Sequence, residues 1–279
     1  MGKVAVVGAG PAGIAAAIQL ARSGHGVEVY ESGSVGGTLR NAGWVENYPG
    51  FPGGIGGRLL VKQMEEQFYQ YVDAVRVQPV ERVVRKDAGY VINEQKYDGI
   101  VLCTGTVPRK AGFDGETELA DAMKLFYDLE ILEHWHDARE VGIIGGGEAS
   151  LDMTLSLLEH DYKATVIHRS EPTGIKCLMG WARDSDINWV KGNVRQGRMQ
   201  NEKVVLSLET EELAFDSVIV AVGREKALPE LVGMDADDWP PGFFIAGDAA
   251  RGSLGQTAMA VGDGVDAAMQ MDRHLRSIE

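Results

Sequence analysis

Three glycines near the amino terminus have the spacing of a turn that binds a pyrophosphate. Gly8, Gly10 and Gly13 stand directly between an apolar run and an alanine-rich run. In such a turn the first glycine permits a tight bend, the second lets a phosphate touch the backbone, and the third allows close helix–strand packing. Glu31 ends the next apolar run, where a carboxylate accepts hydrogen bonds from ribose hydroxyls. The pattern predicts binding of an adenine dinucleotide.

A second copy of the pattern occurs at Gly145, Gly147 and Ser150. Serine replaces the third glycine and is small enough to permit the same packing. His168 and Arg169 end the next apolar run, and an arginine there can pair with the 2′-phosphate of NADP. A solvated surface arginine is the alternative. We therefore expect a second nucleotide site, for NADH or NADPH.

The remaining reactive side chains do not form a recognisable site. The two cysteines, Cys103 and Cys177, are too far apart in the chain to form a metal-ligand motif. Cys103 ends an apolar run and is expected to pack as a small hydrophobe. Cys177 follows a lysine in a polar stretch expected to be a loop, where a nearby cation can make a thiol reactive. We interpret His134 and His136 as part of a polar turn and expect no metal.

Two β-α-β units are predicted to position these residues. Continuous apolar runs are typical of parallel strands buried on both faces. The first unit has strands at 3–7 and 27–30 with a helix to about 23, and the second has strands at 141–144 and 164–167 with a helix to about 159. Other predicted elements are a loop at 32–57, helices at 58–72 and about 256–275, and strands at 98–102, 203–208, 217–222 and 243–246. The last helix has no sheet of its own to cover, so we expect the second unit to be inserted in the first domain.

Length and charge limit the function further. A chain of 279 residues is enough for about two domains. Lys and Arg number 27 against 41 Asp and Glu, and the net charge of −14 repels nucleic acid and anionic membranes. We therefore expect neither as a partner. No signal-peptide pattern and no run of about 18 apolar residues is found, which favours a cytoplasmic protein.

Several ordered motifs make the chain resemble the low-molecular-weight thioredoxin reductases, class II of the pyridine nucleotide-disulfide oxidoreductases. The motifs are GAGPAG at 8–13, GGTL at 36–39, VENYPGFP at 45–52, CTG at 103–105, GGGEAS at 145–150, HRS at 168–170 and AGDAARGSLGQTAMAVGDG at 246–264. VENYPGFP and the closing motif are specific, whereas the others occur in many flavoproteins. The resemblance covers nearly the whole chain.

The resemblance implies an α/β fold with two Rossmann-like domains of three-layer ββα type, the second inserted in the first. FAD is implied to bind residues 1–112 and 226–279, and NAD(P)H residues 113–225. Asp248 is implied to bond the ribityl chain, and the backbone of Gln256, Thr257 and Ala258 to face the N1/O2 edge of the flavin, where a helix N-terminus stabilises negative charge. The other implied FAD contacts are Gly8, Gly10, Pro11, Ala12, Gly13, Glu31, Gly37, Thr38, Asn47, Val80, Thr104, Gly105 and Gly247. The implied NAD(P)H contacts are Gly145, Gly147, Glu148, Ser150, His168 and Arg169.

The chain departs from the family in two motifs. The family has a Cys-x-x-Cys pair before the second glycine motif, whereas residues 126–131 read FYDLEI here. Reduction of a disulfide by a flavin requires a thiolate and a resolving partner, so ordinary thioredoxin reduction is not expected. The family's HRRxxxR is HRSEPTG at 168–174, which lacks two arginines and gains the negative Glu171. The choice between NADH and NADPH stays open.

The expected function is therefore that of an FAD-dependent NAD(P)H oxidoreductase with a non-dithiol electron acceptor. A ferredoxin- or flavodoxin-like protein, a quinone, free flavin and O₂ are the acceptor classes. The flavin carries the chemistry, so no acid–base catalyst is predicted. The alternatives are a reductase of a low-molecular-weight disulfide, in which Cys177 or the flavin acts directly, and an FAD-bound sensor or assembly protein without nicotinamide turnover. The resemblance also implies a homodimer, and the chain's end at Glu279 favours an open flavin face.

Overall fold

The computed structural model describes residues 1–129, 138–235, 238–252 and 255–278. His134 and His136, interpreted above as part of a turn, lie outside the described residues. Within those ranges, no three His, Cys, Asp or Glu side chains come together as a metal site requires. None of the described helices has the length and apolar character needed to cross a bilayer.

The described residues form both helices and strands, and the strands are the more numerous. The helices are α1 (Pro11–Arg22), α2 (Gly57–Phe68), α3 (Glu116–Asp121), α4 (Glu148–Glu159), α5 (Lys176–Asp184), α6 (Asp248–Arg251) and α7 (Thr257–Ile278), with a 3₁₀ helix at Gly37–Asn41. The strands are β1 (Lys3–Val7), β2 (Gly26–Glu31), β3 (Val75–Val77), β4 (Arg82–Lys86), β5 (Gly89–Ile92), β6 (Gln95–Tyr97), β7 (Gly99–Leu102), β8 (Thr106–Pro108), β9 (Leu125–Phe126), β10 (Glu140–Ile144), β11 (Lys163–His168), β12 (Asn188–Lys191), β13 (Gln196–Gln200), β14 (Lys203–Ser207), β15 (Glu212–Phe215), β16 (Ser217–Val220), β17 (Arg224–Lys226), β18 (Glu230–Val232) and β19 (Phe243–Ile245).

The chain forms two compact units. One comprises Met1–Arg40, Val45–Val107 and Glu225–Glu279, and the other comprises Asn41–Trp44 and Pro108–Arg224. The breaks at 107/108 and 224/225 compare with the predicted 112/113 and 225/226. Residues after 108 group with the second unit because the Glu116 carboxylate accepts the N–H groups of Ala111 and Gly112, at 2.9 and 2.6 Å. The assignment of 41–44 to the second unit was not predicted.

The first unit is built on a parallel sheet in the order β19-β7-β1-β2-β3. From Val4 onward β1 is buried, as a strand covered on both faces must be. Helices α1 and α7 approach closely, because a Cβ on Gly264 of α7 would lie 2.1 Å from the carbonyl oxygen of Ala12 in α1. Tyr90 and Tyr97 of the sheet β18-β4-β5-β6 pack in one core with the parallel strands.

The second unit repeats this plan with the parallel order β12-β11-β10-β16-β9. Ile143 packs in a core with residues of α4 and α5, whereas its neighbour Ile144 packs with Val204 and Leu206 of the antiparallel sheet β13-β14-β15. Successive strand residues point to opposite faces, so the helices and the antiparallel sheet cover different faces. Two such units confirm the predicted α/β fold class.

Candidate functional site

The glycine turn after β1 requires glycine at two positions for reasons internal to the protein. Gly8 has φ +98°, and a Cβ there would lie 2.2 Å from the carbonyl oxygen of Cys103. A Cβ on Gly13 would lie 1.8 Å from the carbonyl oxygen of Gly8. A Cβ on Gly10, by contrast, would meet no protein atom within 4 Å. Gly10 therefore borders open space, and a ligand can reach the backbone at this point.

The start of α1 faces the same turn. Gly10 is the N-cap and has no side chain with which to cap the helix, and Pro11 is the first helical residue. The first N–H groups of a helix have no acceptor inside the helix, and together with the helix dipole they favour an anion. The turn and α1 therefore form an arrangement that can bind a phosphate.

Glu31, at the end of β2, accepts hydrogen bonds from two backbone N–H groups, one of which belongs to the glycine turn. Its Oε2 accepts the N–H of Ala9 at 2.7 Å, and its Oε1 accepts the N–H of Gly33 at 2.8 Å. A carboxylate offers about four lone-pair sites, so both oxygens can still accept from ribose. The contact with Ala9 was not predicted from the sequence.

The segment after Glu31 also lies on the glycine turn. Gly36 donates its N–H to the carbonyl oxygen of Ala9 at 2.8 Å. Gly37 has φ +54°, and a Cβ on it would lie 3.2 Å from Cα of Gly10. Thr38 follows in the 3₁₀ helix with an exposed side chain. Gly37 and Thr38, both implied FAD contacts, therefore start a short helix beside the open space at Gly10.

A buried hydroxyl follows β7. Thr104 Oγ1 is buried and has no hydrogen-bond partner among the described residues. Gly105, with φ +65°, is next to it, and a Cβ there would meet nothing within 4 Å. An unpaired buried hydroxyl costs free energy, which a ligand that bonds to it recovers. The pair therefore fits a polar ligand in this part of the first unit.

The closing motif lies against α1. Gly247 has φ +67°, and a Cβ there would lie 2.9 Å from Cβ of Ala12. Asp248, at the start of α6, is half-buried, and a Cβ on Gly255 would lie 1.7 Å from its Oδ1. A side chain at position 255 would therefore clash with the Asp248 carboxylate, and glycine avoids this clash.

The residue before α7 is hydrogen-bonded to another of the implied FAD contacts. Asn47 donates from Nδ2 to Oε1 of Gln256, which immediately precedes the helix, at 2.7 Å. Thr257 and Ala258 form its first turn, where N–H groups lack intrahelical acceptors. Val80, the remaining implied contact, is half-buried against the core that contains Tyr90. The open face of Gly10 and the unpaired Thr104 hydroxyl are the two observations that fit a bound dinucleotide best.

The second unit has an equivalent turn after β10. Gly145 has φ +152°, and a Cβ there would lie 2.4 Å from the carbonyl oxygen of Ala221, whereas a Cβ on Gly147 would meet nothing within 4 Å. Ser150, which replaces glycine, is fully buried and donates from Oγ to the carbonyl oxygen of Gly147 at 2.7 Å. Its hydroxyl thus bonds to the turn itself. Glu148 is exposed in the first turn of α4.

At the end of β11, His168 and Arg169 differ in exposure. His168 is buried, donates from Nδ1 to the carbonyl oxygen of Ser170 at 3.0 Å, and contacts Trp189 edge to face at 5.8 Å between ring centroids. Arg169 is exposed. Of these two residues, only the arginine has a side chain exposed enough to reach a ligand in solvent.

Glu171, interpreted above as an added negative charge, is paired with a lysine in the structure. Its Oε1 accepts a hydrogen bond from Nζ of Lys191 at 2.9 Å. That bond holds the pKa of the Glu171 carboxyl below its usual range. Lys191 ends β12, opposite His168 on β11. No sequence motif indicated this lysine, because the pairing of β12 with β11 joins distant parts of the chain.

The two cysteines have different environments. Cys103 is buried beneath the first glycine turn, and burial raises the pKa of its thiol strongly. Cys177 is exposed. The expectation that Cys177 lies in a loop was wrong, because it belongs to the first turn of α5, which Leu178 and Ala182 anchor to the core of the second unit.

The chain is similar to known proteins over nearly its whole length. Residues 2–264 match the model of the pyridine nucleotide-disulphide oxidoreductase family. The bifunctional thioredoxin reductase/thioredoxin of Mycobacterium leprae is 29% identical over 302 residues, with 98% of this chain and 66% of that protein covered. The thioredoxin reductase of Listeria innocua is 27% identical over 304 residues, with 99% and 94% covered. The crystal structure of T. acidophilum thioredoxin reductase superposes with a TM-score of 0.86 at 26% identity, over 100% of this chain and 99% of that one.

Proposed function

Because the chain belongs to the pyridine nucleotide-disulphide oxidoreductase family and is an FAD-dependent oxidoreductase that uses a nicotinamide nucleotide, we propose that it passes electrons to an acceptor that is not a dithiol. The acceptor classes are a ferredoxin- or flavodoxin-like protein, a quinone, free flavin and O₂. The observation that carries this proposal is the state of the two cysteines, which do not form a Cys-x-x-Cys pair.

The first unit provides the groups that would hold FAD. The N–H groups of the turn at Gly10 and of α1 would bind the pyrophosphate, and Glu31 would accept the ribose hydroxyls. Asp248 would bond the ribityl chain, and Thr104 would bond through its unpaired hydroxyl. When bound, FAD accepts a hydride from a reduced nicotinamide and passes electrons on.

The N-terminus of α7 would set the electrostatic field at the flavin. Thr257 and Ala258 belong to its first turn, and a helix N-terminus carries partial positive charge on its free N–H groups. Such a field stabilises negative charge on a reduced ligand without reorganisation. The Asn47–Gln256 hydrogen bond would hold the start of this helix in place.

The described cysteines do not support disulfide reduction of the thioredoxin type. The attacking group in thiol–disulfide exchange is a thiolate, and a second thiol must resolve the mixed disulfide. Cys103 is buried with a raised pKa, so it remains a thiol. Cys177 is exposed but has no neighbouring cysteine in sequence. Electrons must therefore leave by a path that uses no cysteine pair of this chain.

Anaerobic stopped-flow measurement of the FAD-loaded protein tests the proposal. NADH or NADPH is expected to bleach the flavin absorbance, and at least one of O₂, a quinone, free flavin, ferredoxin or flavodoxin is expected to restore it. Oxidised thioredoxin should not restore it. Rapid reoxidation by thioredoxin contradicts the proposal.

A second candidate is a reductase of a low-molecular-weight disulfide, favoured by the exposure of Cys177. The variant Cys177→Ser discriminates between the routes. If disulfide-dependent NAD(P)H oxidation persists unchanged, the cysteine takes no part, and if it disappears while flavin reduction continues, Cys177 carries the reaction.

A sensor or assembly protein without nicotinamide turnover is the third candidate, motivated by the missing arginines in 168–174. Bleaching of the flavin by either nucleotide within seconds removes it. We also propose that the protein is cytoplasmic and that it forms a homodimer. Sedimentation velocity of the purified protein tests the oligomeric state. A monomeric mass at micromolar concentration contradicts the dimer.

A further inference from the structure

An exposed ion pair lies at the carboxyl end of the parallel sheet in the second unit. Lys191 Nζ contacts Glu171 Oε1 at 2.9 Å, and the two side chains are 64% and 81% exposed. Lys191 ends β12 and pairs in register with His168, the last residue of β11. In open α/β sheets, ligands bind outside the carboxyl ends of the strands. The pair therefore lies on the edge where a nucleotide would bind.

The loop that carries Glu171 lies on the second glycine turn. The N–H of Thr173 donates to the carbonyl oxygen of Gly146 at 2.7 Å. A Cβ on Gly146 would lie 3.6 Å from Cα of Pro172 and 3.7 Å from the carbonyl oxygen of Ser170. These contacts fix Glu171 within the loop that runs from the end of β11 to the turn where a nucleotide phosphate would approach the backbone.

The lysine is fixed to the same place by β12. Gly192, the next residue, donates its N–H to the carbonyl oxygen of His168 at 3.0 Å. Arg169 directly follows His168 and is exposed. Arg169 therefore follows His168 in the chain, and Lys191 lies opposite His168 in the register of β11 and β12. Two cations and one carboxylate therefore surround the end of β11, the position that distinguishes NADP from NAD in this type of fold.

We propose that Lys191 is a specificity-determining residue that binds the 2′-phosphate of NADPH together with Arg169, and that Glu171 competes with the phosphate for it. This inference rests on the proposed function, because it assigns a role within the same nucleotide site. Exposed ion pairs are weak, so Lys191 can leave Glu171 at little cost. A phosphate monoester carries up to two negative charges near neutral pH, more than the single carboxylate that it displaces. Lys191 thereby supplies a cation that the sequence motif lacks.

Equilibrium binding of two probes tests the inference without any redox turnover. Adenosine 2′,5′-bisphosphate carries the 2′-phosphate, and 5′-AMP does not. Calorimetric titration of each probe is made on the FAD-loaded wild type, K191M, K191R and E171Q. The control is K163M, which removes an equivalent exposed charge paired with Glu140 at the opposite end of β11.

The wild type is expected to bind the bisphosphate more tightly than 5′-AMP. K191M should weaken bisphosphate binding by about tenfold, the loss expected for one charge-assisted hydrogen bond, and leave 5′-AMP unchanged. K191R should retain most of the preference, E171Q should tighten bisphosphate binding, and K163M should behave as wild type. The rate of flavin reduction by NADPH, relative to NADH, should follow the same order.

Several results overturn the inference. If K191M binds both probes as the wild type does, the role of Lys191 is wrong. The proposed function then still stands, provided that a nucleotide reduces the flavin. E171Q that weakens bisphosphate binding shows that Glu171 supports the site and does not compete for Lys191. A wild type that binds neither probe and whose flavin neither nucleotide reduces overturns the proposed function, and the inference with it.

Discussion

Glu31 accepts a hydrogen bond from the backbone N–H of Ala9, with 2.7 Å between Ala9 N and Glu31 Oε2. Ala9 lies inside the glycine turn that follows β1, whereas Glu31 ends β2. The same carboxylate accepts the N–H of Gly33 through its other oxygen. The side chain that would bind the ribose therefore also holds the shape of the turn that would bind the pyrophosphate.

Replacing Glu31 by glutamine is expected to weaken FAD binding by roughly ten- to a hundredfold. One carboxylate oxygen becomes a donor, so a backbone N–H and a ribose hydroxyl both lose their charged acceptor. A hydrogen bond to a charged group contributes about 1.5–3 kcal/mol, and about 1.4 kcal/mol corresponds to tenfold in affinity. Titration of the FAD-free protein with FAD, followed by quenching of flavin fluorescence, measures the dissociation constant.

The matched control for Glu31→Gln is Glu66→Gln, which removes the same charge from an exposed position on α2. It should bind FAD as the wild type does. Equal FAD affinities in the two variants would show that the Glu31 carboxylate contributes nothing to binding.

Alanine at Gly10 is expected to weaken FAD binding, whereas alanine at Gly13 is expected to lower the stability of the fold. A Cβ on Gly10 meets open space, and its φ of −71° suits alanine, so the FAD-free Gly10→Ala protein should melt close to the wild-type temperature. The same methyl group obstructs a ligand at the backbone, and FAD affinity should fall by about tenfold or more. Gly13→Ala must displace the carbonyl oxygen of Gly8 and should lose about 1–3 kcal/mol of stability. Thermal melts followed by circular dichroism separate the two outcomes, and a stable Gly10→Ala variant with unchanged FAD affinity would show that no ligand approaches at this point.

The parts of the fold that the sequence predicted are those with a strong local signal. The apolar run at 3–7 became β1 with the same bounds, and the glycine turns at 8–13 and 145–147 stand between strand and helix as expected. Buried parallel strands are continuous apolar runs, and the positive φ angles of Gly8 and Gly145 favour glycine, so both signals are visible without tertiary information.

The parts that were missed depend on tertiary contacts. The nine residues of α5 are too few to be helical alone, and burial of Leu178 and Ala182 stabilises them. Lys191 could not be identified because its partner Glu171 is reached only through the pairing of β12 with β11. The unpaired hydroxyl of Thr104 follows from burial alone, which no motif encodes.

The two thiols are expected to differ in reactivity. Cys103 is buried and its pKa is raised by burial, so a thiol reagent should reach it only after unfolding. Cys177 is exposed and should react in the folded protein. Titration with an aromatic disulfide reagent should therefore count one thiol per chain in buffer and two in denaturant. Cys177→Ser should abolish the rapid phase, and rapid reaction in that variant would show that Cys103 is accessible.

The stability of the second unit is expected to depend on the ionisation of Asp216. Its Oδ2 accepts the N–H groups of Arg139 and Glu140 at 2.8 and 2.9 Å, and Lys203 Nζ lies 3.5 Å from its Oδ1. Partial burial acts to raise the pKa of Asp216, but the two N–H groups and the lysine outweigh it and hold the pKa below its usual value. A carboxyl with a lowered folded-state pKa stabilises the protein above its unfolded-state pKa of about 3.9, and this contribution disappears as the pH falls through the folded-state value.

Asp216→Asn should therefore lower the melting temperature at neutral pH, by an amount equivalent to about 1 kcal/mol of unfolding free energy. The difference from the wild type should shrink as the pH falls below about 3.9, because the wild-type carboxyl then becomes neutral as well. Circular dichroism melts across this pH range measure it, with the exposed Asp121→Asn of the same unit as the control for loss of one charge. A deficit in Asp216→Asn that stays constant with pH would mean that the charge of Asp216 does not stabilise the fold, and that the protonated carboxyl accepts its hydrogen bonds as well as the ionised one does.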